Sequence, residues 1–107
     1  MDRGHIVLVP FPFTDLGGKK VRPALVLYVS EGEDFICAFI SSVTRERYGS
    51  FEIQLIPSPE NGLKSTSFVK LDKLATLQER LAIGSIGMLE GTYMEEVDDR
   101  LRLLLGL

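Results

Sequence analysis

Val21-Arg22-Pro23-Ala24-Leu25-Val26-Leu27 sets a guanidinium directly before a proline and an apolar run directly after it. Proline fixes its own φ and pushes the preceding residue toward extended backbone. The stretch therefore predicts a buried-type strand from Pro23 to Val29, with Arg22 extended at its mouth. The turn before it, Asp15-Leu16-Gly17-Gly18-Lys19-Lys20, is flexible and ends basic. A cation held at a strand end beside such a turn is placed to grip a phosphate. Taken alone, Arg22 reads more simply as a solvated loop charge, because most charges sit on surfaces.

Working outward, strands dominate. His5-Ile6-Val7-Leu8-Val9-Pro10 reads as a first strand, and Phe11-Pro12-Phe13-Thr14 continues extended as edge or loop, since prolines cannot complete a ladder. After the turn at Ser30-Glu31-Gly32-Glu33-Asp34, a third strand is predicted over Phe35 to Val43. In Ser50 to Ile56, Phe51, Ile53 and Leu55 alternate with Glu52 and Gln54, a half-buried strand. Pro57 to Gly62 is a loop. Over Ser67 to Leu77, period two puts Val69, Leu71, Ala75 and Leu77 on one face and Phe68, Lys70, Asp72 and Thr76 on the other. A helical turn at Gln78–Leu81 and a short strand over Ile83–Leu89 follow. The chain ends differently. Thr92-Tyr93-Met94-Glu95 fits a capping box with Thr92 as N-cap, and Met94, Val97, Leu101 and Leu104 recur at helical spacing. Many short strands and one terminal amphipathic helix predict a mainly β fold: a small, strongly bent antiparallel sheet with a C-terminal helix over its open part or in a subunit contact.

The 107 residues are expected to form one domain, 1–107, with an ordinary 45% hydrophobic and 25% charged residues. No apolar run approaches the roughly 20 residues of a membrane helix, and no signal-peptide pattern opens the chain, so a cytoplasmic protein is expected. The net charge of −3 is unevenly spread. Residues 1–89 hold ten basic and ten acidic side chains, and residues 90–107 hold five acids against two arginines. A neutral body leaves room for a basic groove despite the acidic tail. Cys37 lies in an apolar run and reads as a buried hydrophobe, and one Cys with one His cannot build a zinc site.

Chemistry concentrates at strand ends. Arg22 opens the second strand, Ser41 and Ser42 end the third, and Lys70 and Asp72 stand two apart, roughly 7 Å along a regular strand. If these converge, a guanidinium, hydroxyls, an ammonium and a carboxylate share one surface. That set suits phosphodiester chemistry without metal: a 2′-OH loses a proton, a 5′-oxygen gains one, and a cation stabilises the phosphorane. Each residue also has a plain reading, Ser41-Ser42 as a loop start and Lys70/Asp72 as a surface pair. His5, at the start of the first strand, is assigned a structural or solvent-facing role. Gly17-Gly18-Lys19-Lys20 lacks the spacing of a phosphate-binding P-loop.

In combination, Arg3-Gly4-His5-Ile6-Val7-Leu8-Val9, Arg22-Pro23-Ala24-Leu25-Val26-Leu27, Ile40-Ser41-Ser42 and Ser67-Phe68-Val69-Lys70-Leu71-Asp72-Lys73-Leu74-Ala75-Thr76-Leu77 resemble the MazF/PemK family of toxin–antitoxin ribonucleases through essentially the whole chain. The resemblance implies an SH3-like barrel with a C-terminal helix, acting as a homodimer. It implies a cytoplasmic endoribonuclease that cuts single-stranded RNA, chiefly mRNA, needs no cofactor or metal, and leaves a 2′,3′-cyclic phosphate and a 5′-hydroxyl. A cognate antitoxin protein would block the RNA groove. Arg22 matches the family arginine of acid–base or charge stabilisation, Ser41 falls at a catalytic threonine, and Lys70 and Asp72 fall at an arginine and an aspartate used in cleavage. On this reading Arg22, Ser41 and Asp72 are catalytic, with Asp72 the base and Arg22 or Lys70 the acid. Lys70, Ser42, Lys19, Lys20, Phe13 and Thr14 bind substrate. Two departures stand out: the loop before Arg22 is shorter and lacks the family's Glu-Gln pair or histidine, and lysine at position 70 forgoes bidentate phosphate binding. The alternatives are a non-catalytic SH3-like binding module, as in gyrase inhibitors of the CcdB type, or a degenerate antitoxin-binding fold-mate. The apolar positions Met94, Val97, Leu101, Leu104 and Leu105 exceed what one small sheet needs and point to a dimer.

Overall fold

The computed structural model describes residues 1–10, 20–42 and 49–107. Among them six strands, β1 (His5–Pro10), β2 (Val21–Val29), β3 (Asp34–Ser41), β4 (Glu52–Leu55), β5 (Ser67–Gln78) and β6 (Gly84–Met88), form one sheet in the order β4-β5-β3-β2-β1-β6, followed by helix α1 (Gly91–Leu105). Every pairing is antiparallel. This is the mainly β, bent antiparallel sheet with a terminal helix that the strand pattern predicts. The expected extended segment Phe11–Thr14 and most of the turn Asp15–Lys20 lie outside the described residues.

The continuous apolar run of β2 follows from burial on both faces. Ile6, Leu25, Leu27, Ala38, Ile40, Val69 and Leu71 join Ile53, Leu55 and Val97 in one cluster. Val7, Val9, Ala24, Val26, Phe35, Cys37 and Phe39 form the other. Pro23 is tolerated because the β2–β3 ladder starts only at Ala24. The β2–β3 turn is held by Ser30, whose Oγ accepts the N–H groups of Gly32 and Asp34, each at 3.2 Å.

Strand β5 departs from its predicted alternation. Phe39 pairs with Lys70, but the next residue of β3, Ala38, pairs with Leu74. Leu71, Asp72 and Lys73 are thus extra on β5, and three extra residues exchange its faces, because side chains alternate with period two. Val69 and Leu71 enter the first cluster, whereas Ala75 and Leu77 pack on the second. The single face predicted for these four is corrected by the bulge, in which Asp72 lies.

The start of α1 is also corrected. Its N-cap is Glu90, extended at φ −62° and ψ 149°, and no side chain caps the helix. The first helical bond already runs from Met94 N–H to the Glu90 carbonyl at 3.0 Å, so Thr92 lies inside the helix. At the other end Gly106 takes φ +72°, and the N–H of Leu107 donates to the Arg102 carbonyl at 2.9 Å, a glycine-terminated cap.

Val97 is fully buried beneath α1, and Tyr93, Met94, Leu101 and Leu104 pack beside it on the first cluster. Arg3 clamps the helix by donating to the Leu27 carbonyl at 2.7 Å and pairing with Asp98. Arg100 reaches the Ser50 carbonyl. The apolar stripe expected to be surplus is therefore mostly spent on this chain's own sheet. Leu103 (72% exposed), Leu105 and Leu107 lie outside it.

The loop between β4 and β5 is organised by buried Asn61. Its Oδ1 accepts from Ser58 N–H (3.1 Å) and Leu63 N–H (3.0 Å), and its Nδ2 donates to the Ile56 carbonyl (2.9 Å) and to Glu90 (3.1 Å). Ser58 Oγ accepts the Asn61 N–H at 3.1 Å, the reciprocal geometry of a capping box around one turn. Gly62 closes that turn at φ +69°, where a Cβ would stand 1.9 Å from the Ile86 carbonyl oxygen. The loop thereby lies directly on β6.

Candidate nucleic-acid interface

The register of the sheet assembles the site. On β2, Arg22 pairs with Val9 of β1, two residues from Ala24, which pairs with both Val7 and Phe39. Carrying the β2–β3 register on by two residues sets Arg22 level with Ser41. Ser41 pairs with Phe68, and Phe39 with Lys70. Arg22, Ser41 and Lys70 thus share one face at one end of the sheet, the face that carries the second cluster. All three are half-buried, and Nε of Arg22 is fully shielded from solvent. The bulge then leaves Asp72 exposed among residues that have no partner on β3 in this register.

An open cleft of about 320 Å³ lies at the same end, lined by Lys20, Val21, Arg22, Pro23, Ile40 and Ser42. Among the described lining residues Lys20 and Arg22 are cationic and Ser42 contributes a hydroxyl. Ser41 belongs to the strand face rather than to the cleft lining. Lys19, Phe13 and Thr14 lie outside the described residues. His5 Nδ1 accepts the Asp2 N–H at 2.7 Å. Cys37 is buried, and burial pushes its thiol up to about 11. Among the described residues no group of three or more His, Cys, Asp or Glu is placed to hold a metal ion.

Strand order adds two residues that the linear pattern left unassigned. Glu52 of β4 lies directly opposite Lys70, and Gln54 opposite Phe68. Alternation already separates them from Phe51, Ile53 and Leu55. Their place beside Lys70 depends on β5 inserting between β3 and β4, which no local pattern encodes. A guanidinium, an ammonium and hydroxyls on one sheet end can bind and neutralise a phosphodiester, with charge-assisted hydrogen bonds as the main attraction.

Comparison with known proteins agrees with this architecture. Residues 2–105 match the family described as PemK-like, MazF-like toxin of type II toxin–antitoxin system, and the chain belongs to that family. Its fold is shared with a mycobacterial endoribonuclease in complex with its cognate antitoxin, at 22% identity and TM-score 0.77 over 100% of this chain and 96% of that one. MazF from Deinococcus radiodurans matches at 26% identity and TM-score 0.76 over 100% and 97%. The Mycobacterium tuberculosis toxin MazF-mt6 matches at 20% identity and TM-score 0.76 over 96% and 97%. No curated protein matches the chain significantly. No helix among the described residues is long and apolar enough to cross a membrane.

Proposed function

We propose that this toxin-family chain is a metal-independent, sequence-specific endoribonuclease that cuts single-stranded RNA, chiefly mRNA, works as a cytoplasmic homodimer, and is restrained by a cognate antitoxin. The observation that carries the reading is the convergence of Arg22, Ser41 and Lys70 on one face at one end of the sheet, beside a cleft that Lys20 makes basic. Two mycobacterial structures that share the fold are named endoribonucleases, one of them in complex with its cognate antitoxin, and MazF of Deinococcus radiodurans is also solved as a MazE–MazF complex. Exposed Leu103, Leu105 and Leu107 supply apolar surface that a second chain can cover.

In this mechanism Arg22 binds and neutralises the scissile phosphate, and Ser41 orients it by hydrogen bond. Asp72 takes the 2′-OH proton as that oxygen attacks phosphorus. The P–O5′ bond then breaks, and the departing 5′-oxygen takes a proton from Arg22 or Lys70. The products are a 2′,3′-cyclic phosphate and a 5′-hydroxyl. Both cationic side chains normally stay protonated, so their larger contribution is electrostatic, to the charge that develops on the phosphorane. Ser42, Lys19, Lys20, Phe13 and Thr14 bind the flanking chain.

The test mixes purified protein with a long single-stranded RNA in EDTA and maps the 5′ ends of the products. Discrete cuts with 5′-hydroxyls are expected, reduced about a hundredfold or more in Arg22→Ala, since single charge-stabilising donors carry effects of that order. A folded protein that makes no cuts, or an Arg22→Ala variant that cuts at the parental rate, refutes the mechanism.

A further inference from the structure

We propose that a second cleft, lined by His5, Glu79 and Ser85, binds a guanine base of the RNA and so gives cleavage a guanine preference beside the cut. The inference rests on the ribonuclease reading above and deepens it by naming a base subsite.

The cleft is open, measures about 320 Å³, and has Met1, Val7 and Ala82 as its apolar lining. It lies on the face of the sheet that carries the second cluster: Val7 belongs to that cluster, Ala82 packs on it, and Ser85 is opposite Val7. Arg22 shares this face. Val7 stands two residues, roughly 7 Å, along β1 from Val9, and Arg22 pairs with Val9 one strand spacing, about 4.8 Å, away. A base next to a phosphate held by Arg22 is therefore within reach of the cleft.

Glu79 comes over β1 because the connection from β5 to β6 crosses this face. The crossing is pinned by backbone bonds: Glu79 N–H donates to the Glu33 carbonyl at 2.7 Å, Ala82 N–H to the Glu79 carbonyl at 3.0 Å, and Ile83 N–H to the Leu8 carbonyl at 2.8 Å. The site is preformed. The contact of His5 Nδ1 with the Asp2 N–H, at 2.7 Å, is closer than its 3.2 Å approach to the Asp2 carbonyl, so the neutral ring carries its proton on Nε2 as a donor. Among the described residues the Glu79 carboxylate has no hydrogen-bond or ion-pair partner, and it offers two acceptor oxygens. Ser85 adds a hydroxyl that bonds only weakly, at 3.5 Å, to the Gly87 carbonyl.

The lining side chains include a carboxylate and no lysine or arginine, so the cleft repels phosphate and takes a base instead. Single-stranded RNA is read on its Watson–Crick edges. Guanine presents there one acceptor, O6, beside two donors, N1–H and the N2 amino group. An imidazole N–H beside a carboxylate is the complement of that array. Adenine and cytosine present one donor group each, and uracil one imino N–H between two carbonyls, so each leaves part of the carboxylate unpaired.

The experiment digests a randomised single-stranded RNA pool with the parent and Glu79→Gln proteins, both confirmed folded by circular dichroism, and sequences the cut sites. The parent is expected to favour guanine at one position flanking the cut. Replacing that guanine by inosine, which lacks only the N2 amino group, should slow the parent about tenfold, the scale of one lost bidentate contact, and Glu79→Gln should cut both substrates at nearly equal rates. His5 is the chain's only histidine, so its imidazole proton resonance reports on the cleft without cleavage. Guanosine monophosphate should shift that resonance, and uridine monophosphate should not. A parent that cuts without a guanine preference, or a Glu79→Gln variant that keeps the parent's discrimination between guanine and inosine, overturns this inference alone. A parent that cuts nothing overturns the ribonuclease reading; the His5 resonance then decides the cleft, and equal or absent shifts with the two nucleotides overturn it too.

Discussion

Replacing Asn61 by alanine should cost this protein about 3 kcal/mol of stability. Asn61 is fully buried and makes four side-chain hydrogen bonds that tie Ser58, Leu63, Ile56 and Glu90 together. Each such bond contributes about 0.5–1.5 kcal/mol net, and a buried partner left unsatisfied adds a desolvation cost of about 1–3 kcal/mol. Water entering the vacated space recovers part of this, which places the total near 3 rather than 6. At the 4–8 °C per kcal/mol typical of domains up to about 100 residues, the melting temperature should fall by roughly 12–24 °C. Urea unfolding followed by circular dichroism measures the change, with an unchanged m-value showing that the folded state stays compact. Asn61→Asp sharpens the test. It keeps the acceptor for Ser58 and Leu63, loses the donor to Ile56 and Glu90, and sets a carboxylate against Glu90, so its loss should ease as pH falls and one of the pair takes a proton. A cost below about 1 kcal/mol for Asn61→Ala would refute the view that this side chain holds the loop against β6 and the start of α1.

Gly62→Ala should be more damaging still, because its φ of +69° disfavours any Cβ and that Cβ would meet the Ile86 carbonyl oxygen at 1.9 Å; little soluble folded protein, or a loss above about 3 kcal/mol in urea, is expected. Cys37 should resist alkylation by iodoacetamide at pH 8 in the native protein and react promptly in urea, since its thiol, pushed up to about 11, stays protonated at pH 8 and is buried as well; comparable native and denatured rates would contradict its placement in the second cluster.

Much of the fold was legible because it depends on local chemistry. The Pro23–Leu27 run reads as a strand buried on both sides, and the two clusters show why no polar residue interrupts it. Ser30 to Asp34 reads as a turn from its residue types, and it closes on Ser30 Oγ. The helical stripe through Met94, Val97, Leu101 and Leu104 falls on the predicted face. The helix start was misread because Thr92 and Glu95 fit a capping box locally, whereas the register of entry is set by Glu90, whose carboxylate accepts from buried Asn61. The faces of β5 were misread because a three-residue bulge leaves no local mark in a strand that remains extended throughout. Asp72, argued from regular spacing, stands in that bulge, so its role rests on family resemblance rather than on the pleat.

What the residues determined by themselves is which segments are strands, which is the helix, and that Arg22 stands extended at a strand mouth. Backbone restriction by proline, alternation of side chains and turn chemistry are all short-range effects. What only the tertiary structure decided is who meets whom. The insertion of β5 between β3 and β4 puts Lys70 opposite Glu52 and Phe68 opposite Gln54, and the β2–β3 pairing of Ala24 with Phe39 brings Arg22 and Ser41, two residues beyond, to the same end of the sheet. Those juxtapositions come from burying two apolar faces at once, a condition on the whole sheet that no single stretch of sequence contains.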